Sequence, residues 1–175
     1  MAQIWSAEEK IVLERELWIA VLEGQQDLGL DIEDSIIEAY RSVVSEVDLE
    51  SIERRERVTL HDVKARIEEF CSLAGHEHIH KGLTSRDLTE NVEQLQIKRS
   101  MILIQQRLVA VISRLAELAI EYQNTTITGR SHNVPAQITT LGKRFANLGQ
   151  ETILAFERVE ELLQRYPLRG LKGPV

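Results

Sequence analysis

The chain is short of cysteine, proline and aromatic side chains, and each shortage excludes something. Cys71 stands alone, so no internal disulfide is possible, and a lone thiol on an apolar helical face fits a reducing compartment. Three prolines and nine glycines in 175 residues leave little room for a turn-rich β architecture. Long uncharged runs are missing too. The most apolar stretch, 108–120, is broken by Arg114 and Glu117, and no basic, apolar, small-residue leader opens the sequence. No membrane association is expected, and a cytoplasmic location is. The formal net charge of −7 argues against a nucleic-acid surface, which needs clustered Lys and Arg.

What the sequence has is helical periodicity. Ser6 as N-cap with Glu9 completing a capping box opens a first helix that stops at Gly29, with Leu13, Leu17, Trp18, Val21 and Leu28 as its apolar stripe. A second helix is expected from Glu33 to Val47, a short third after the Asp48 cap, and a fourth opened by His61-Asp62 and closed by Gly75. The longest element runs without Gly or Pro from Ser85 to Gln123, roughly 57 Å at 1.5 Å per residue. Val92, Leu95, Ile102, Leu108, Ile112, Leu115 and Leu118 keep its period. A loop is expected over Asn124 to Pro135, then a last helix from Ile138 to Gln164 with Leu141, Phe145, Leu148, Ile153, Phe156, Val159 and Leu163 inward. The fold class is all-α: a small N-terminal helical domain over 1–83, followed over 84–175 by the first long helices of a central bundle. A helix this long needs partners, which implies a bundle shared between subunits.

Three polar spots interrupt this pattern. His61 and Asp62 open the fourth helix. His80 precedes Thr84 and Ser85, whose helix start offers backbone amides and two hydroxyls to a carboxylate or phosphate. Ser131 and His132 lie in the polar segment TGRSHNVPAQITTLGKR, on a connection between long helices, where a rigid scaffold usually carries its chemistry. His76, His78 and His80 alternate, but with no cysteine or carboxylate cluster of ligand spacing beside them no metal site is expected.

Four runs in order and spacing, LHDVKARIEEF, HIHKGLTSRD, GRSHNVPAQITTLGKRFA and RGLKGPV, resemble the adenylosuccinate lyase family of the fumarase/aspartase superfamily. The resemblance covers nearly the whole chain from Ile4. It implies a β-elimination without a cofactor, in which a succinyl group leaves a purine nucleotide nitrogen as fumarate, in a homotetramer whose active sites draw on three subunits. It implies His132 as general acid and His61 as a second catalytic histidine. Thr84 and Ser85 would hold the succinyl carboxylate, and Asp62, Ser131 and His80 would contact or support the substrate. Leu60 stands where Arg or Asn is common in the family, so only its backbone is available there.

The upstream Arg-Tyr pair of the family has no match in this sequence, and neither does the Ser-Ser-x-Met-Pro-x-Lys-x-Asn loop that supplies the base serine. The resemblance therefore implies an N-terminal portion that is inactive alone. Argininosuccinate lyase and cycloisomerases share the bundle and the GRxH-like loop, and a non-catalytic helical oligomerisation module stays open beside them.

Overall fold

A computed structural model describes residues 1–173. After a 3-10 turn, Gln3–Trp5, it contains α1 (Ala7–Asp27), α2 (Asp34–Ser42), α3 (Leu49–Thr59), α4 (Asp62–Ala74), α5 (Ser85–Glu121), the strands β1 (Thr126–Ser131) and β2 (Val134–Thr140), and α6 (Leu141–Gln164). The architecture is helical with one small antiparallel hairpin. No helix is long and apolar enough to cross a membrane among the described residues. The chain forms two compact units, one of Met1–Ile97 with the tail from Pro167, the other of Lys98–Tyr166.

In the first unit the helix boundaries follow local hydrogen-bond chemistry. Ser6 Oγ accepts from Glu9 N at 3.1 Å, and Asp48 Oδ1 accepts from Ser51 N at 2.9 Å, each satisfying an orphan amide of the first turn. Gly75, at φ 72°, ends α4 in the left-handed conformation that costs glycine nothing. The core gathers around Trp18, Leu22, Tyr40, Val63, Phe70 and Leu88, all at most 1% exposed. Trp18 stacks on Phe70 at 6.2 Å, and Tyr40 tilts against the same ring at 4.9 Å.

Two charged pairs are sunk into this unit. Arg15 donates to Glu69 Oε2 at 2.5 Å and to the carbonyls of Val43 and Val44 at 2.9 and 3.0 Å, while Glu69 Oε1 accepts from Asp48 N. The pair thus ties α1 and α4 to the ends of α2 and the start of α3. Glu14, fully buried, lies 2.7 Å from Arg66 Nε in an ion pair without hydrogen-bond alignment. Burial raises its carboxyl to about 7, against the opposing pull of Arg66 and Lys10.

The second unit contains the later part of α5, the hairpin and α6. Close approach of its helices is possible because Gly142 has no side chain: a Cβ there would stand 2.4 Å from the Ala119 carbonyl oxygen and 2.7 Å from Gln123 backbone atoms. Thr140 Oγ1 caps α6 by accepting from Lys143 N, and Tyr122 meets Phe145 at 6.0 Å.

Several expectations are corrected here. The segment expected as loop and early helix is the hairpin, and α6 begins at Leu141 rather than Ile138. Its β-branched residues, Thr126, Ile127, Thr128, Val134, Ile138, Thr139 and Thr140, favour extended backbone. The pairing shifts by one residue between Gly129 and Arg130, and Pro135 stands opposite Arg130 in a two-stranded ribbon, where a missing N–H is tolerated because both strands are edges. The second helix ends at Ser42, not Val47, in a turn over 43–45. Leu28, placed on the α1 stripe, is 84% exposed because it is the C-cap residue beyond the packed face. Ile102, Leu148 and Ile153 are also exposed, since among the described residues no further element of their unit covers those faces.

Candidate functional site

In the first unit the candidate residues converge on the start of α5. Thr84 is the N-cap: its Oγ1 accepts from Asp87 N at 3.3 Å, and Asp87 Oδ2 accepts from Thr84 N at 3.0 Å, a reciprocal capping box. Ser85, the first helical residue, keeps its hydroxyl free of this box. That hydroxyl stands 3.4 Å from His61 Nε2.

His61 is held from its other side. As N-cap of α4 it accepts from Lys64 N through Nδ1 at 3.4 Å, which in the neutral ring leaves the proton on Nε2, facing Ser85. Asp62 stands 3.5 Å from Nδ1 and pairs with Arg66 at 2.8 Å. Partial burial pushes the Asp62 carboxyl upward, but the Val63 N–H and the Arg66 guanidinium outweigh it and hold the group below the usual range. Leu60 precedes His61 at φ 51° and 87% exposure, closing α3 through its N–H to Glu56 O. A left-handed backbone on a leucine costs roughly 1–2 kcal/mol.

His80 shows the same left-handed backbone, at φ 66°. It is half-buried between the core and the start of α5, with its carbonyl accepting from Leu83 N. Its Nδ1 accepts from the indole N–H of Trp18 at 3.0 Å, the rings meeting edge-on. Burial pushes the ring below the ordinary histidine value; Asp87 opposes that shift and His61 adds to it.

The tail returns to this place. Lys172 N donates to Asp87 Oδ1 and Gly173 N to Asp87 Oδ2, both at 2.9 Å. Asn91 Oδ1 accepts from Arg169 N and Gly170 N, and its amide donates to the Gly170 carbonyl. Arg169 pairs with Glu90 at 2.8 Å. The run RGLKG is thereby fixed along the first turns of α5; the last two residues of that motif, Pro174 and Val175, lie outside the described residues.

Ser131 and His132 belong to the second unit. Ser131 closes β1 opposite Val134, and His132 and Asn133 make the two-residue turn at φ 49° and 65°, the backbone of a type I′ hairpin. Arg130 braces the turn by donating to the Asn133 carbonyl at 2.9 Å. His132 is exposed at the tip.

The first unit therefore brings His61, Ser85, Thr84 and Asp87 together, with Trp18 behind His80. Sequence reasoning missed Asp87, Asn91 and Trp18. The Thr-Ser-Arg-Asp spacing of a capping box carried a signal for Asp87; nothing local pointed to Trp18 or Asn91. No group of three His, Cys, Asp or Glu is placed to hold a metal ion among the described residues.

These positions sit within a match to a protein-family model described as lyase, over residues 2–174. The chain belongs to this lyase family. Adenylosuccinate lyase of Saccharomyces cerevisiae is 34% identical over 179 residues, covering 99% of this chain and 37% of that protein. N-acetyl-S-(2-succino)cysteine lyase of Dickeya dadantii is 28% identical over 181 residues, covering all of this chain and 39% of that one. Among solved structures, a fumarate lyase from Mesorhizobium sp. BNC1 matches with a TM-score of 0.86 at 23% identity, over 98% of this chain and 41% of that chain; a likeness at that identity speaks for the lyase-family fold. The chain spans a little over a third of the length of the relatives it matches.

Proposed function

We propose that this chain is the N-terminal part of an adenylosuccinate lyase, a carbon–nitrogen lyase that releases fumarate from adenylosuccinate, giving AMP, and from the succinylo-carboxamide ribotide of purine synthesis. The observation that carries the reading is the 34% identity to the yeast enzyme across 99% of the chain. The contact between His61 Nε2 and Ser85 Oγ supports it, because a residue read as a catalytic histidine and one read as a succinyl-carboxylate ligand, taken from separate motifs, stand 3.4 Å apart.

The elimination removes a proton from the succinyl Cβ, spreads the resulting charge into the adjacent carboxylate, breaks the C–N bond and protonates the departing nitrogen. Thr84 and Ser85 hold the carboxylate at the helix start, where amide dipoles favour the charge that develops on it. His61 donates from Nε2, and Asp62 keeps Arg66 and the start of α4 in place around it. Leu60 contributes only its backbone, and His80 supports the carboxylate site. His132, beside Ser131 on the exposed hairpin tip, is the general acid. The base comes from a segment outside this sequence, the enzyme works without cofactor or metal, and the complete protein assembles as a cytoplasmic homotetramer of long-helix bundles that begin at residue 84.

The relative from Dickeya dadantii gives a second reading, elimination from a succinyl group carried on sulfur, as in the compound of its name. Fumarate release by the intact gene product from adenylosuccinate, argininosuccinate and N-acetyl-S-(2-succino)cysteine decides between them. Turnover of adenylosuccinate at least 100-fold faster than of the others is expected. Preference for the sulfur compound transfers the assignment to the second reading, and no release from any of the three favours an interaction module. The 175-residue chain alone is expected to release no fumarate; release by it would refute the need for an outside base.

A further inference from the structure

Trp18 is 1% exposed, stacked on Phe70, and spends its only polar atom on one bond, the indole N–H to His80 Nδ1 at 3.0 Å. An indole nitrogen can only donate, so Nδ1 of His80 must accept. The neutral imidazole then carries its proton on Nε2, and a second proton on Nδ1 would oppose the indole N–H. Nε2 has no hydrogen-bond partner among the described residues, and the ring is presented by a backbone in the left-handed region, where a non-glycine residue persists only when its surroundings enforce it.

We propose that Trp18 is a positioning residue that confines His80 to the Nε2–H tautomer, so that His80 acts as a hydrogen-bond donor to an anionic substrate group at the start of α5 and not as a proton acceptor. The identity of that group as a carboxylate rests on the lyase reading above; the tautomer does not. The charged and titratable groups acting on the ring are Asp87, which favours protonation, and His61, which disfavours it. Burial sides with His61, and the Trp18 bond adds to both.

The test is nitrogen NMR of the 15N-histidine-labelled 175-residue chain and of its Trp18→Phe variant, which keeps an aromatic ring against Phe70 and removes the donor. In the wild type, His80 should show one protonated nitrogen assigned to Nε2, one bare nitrogen at Nδ1, and a scalar coupling from the indole nitrogen to Nδ1. In the variant the two nitrogen shifts should move toward each other as the tautomers exchange, and the titration midpoint of His80 should rise by about half to one pH unit. A wild-type His80 with its proton on Nδ1 overturns the proposal without any variant, and so does a folded variant whose tautomer and midpoint are unchanged. If the wild-type tautomer is as stated but the intact gene product releases no fumarate from any succinyl substrate, the positioning role stands and the carboxylate ligand falls.

Discussion

Replacing Asp87 by alanine should free the tail from α5. The Asp87 carboxylate is 2% exposed and accepts three backbone N–H groups, those of Thr84, Lys172 and Gly173, at 2.9–3.0 Å. Two of these hold the tail. Hydrogen bonds to a charged acceptor contribute about 1.5–3 kcal/mol each, so their joint loss weakens tail docking by about 3–6 kcal/mol before water compensates. The Asn91 bonds to Arg169 and Gly170 and the Arg169–Glu90 pair survive the change and keep part of the attachment. We therefore expect the Lys172 and Gly173 amides to exchange with solvent at least 30-fold faster in Asp87→Ala, and the Arg169 and Gly170 amides to accelerate less.

The same bonds set a pH dependence. The Thr84 N–H, with those of Lys172 and Gly173, overcomes burial and holds the Asp87 carboxyl below its ordinary value of 3.8. A depressed acid contributes stability that is present above its unfolded pKa and lost as pH falls through the folded one. Tail protection should therefore persist down to about pH 4 and disappear below it. Exchange at Lys172 and Gly173 that is equal in wild type and variant, at neutral pH, would refute the clamp.

Other consequences follow from buried features. Gly142→Ala forces a methyl group onto the Ala119 carbonyl and the Gln123 backbone; a loss of about 1–3 kcal/mol is expected in urea unfolding followed at the second unit, and a loss under about 0.5 kcal/mol would contradict the close approach. Glu14 titrates near 7 in the fold against 4.5 unfolded, so the folded state holds the extra proton. Stability is complete below pH 4.5 and falls by about 3 kcal/mol as pH rises through 7. Glu14→Gln should flatten that slope and gain on the wild type above pH 7; an unchanged slope between pH 5 and 8 would show that Glu14 is not its source.

How much of this was legible follows the range of the interactions. The caps at Ser6 and Asp48, the helix start at His61-Asp62 and the stop at Gly75 are written within four residues of sequence, and the structure repeats them. The long helix was legible from its period, and α5 is 37 residues long. The hairpin was not, because its turn is His132-Asn133, with no glycine to announce the left-handed backbone, and Gly129 and Pro135 on its strands read as loop. At the candidate site, motifs named His61, Thr84 and Ser85, and the structure places His61 beside Ser85. Those acting across long separations were not: Trp18 reaches His80 across 62 residues, and Asp87 reaches Gly173 across 86. Exposure of Leu148 and Ile153 was equally invisible, since periodicity marks an apolar face without saying what covers it.

Steady-state turnover of adenylosuccinate by the intact gene product and its His132→Ala variant tests the proposed role of the hairpin-tip histidine as the acid of the elimination. A fall in kcat of at least 100-fold is expected, with KM and the helical circular dichroism nearly unchanged. A variant that keeps its kcat within a few-fold of the wild type would contradict it.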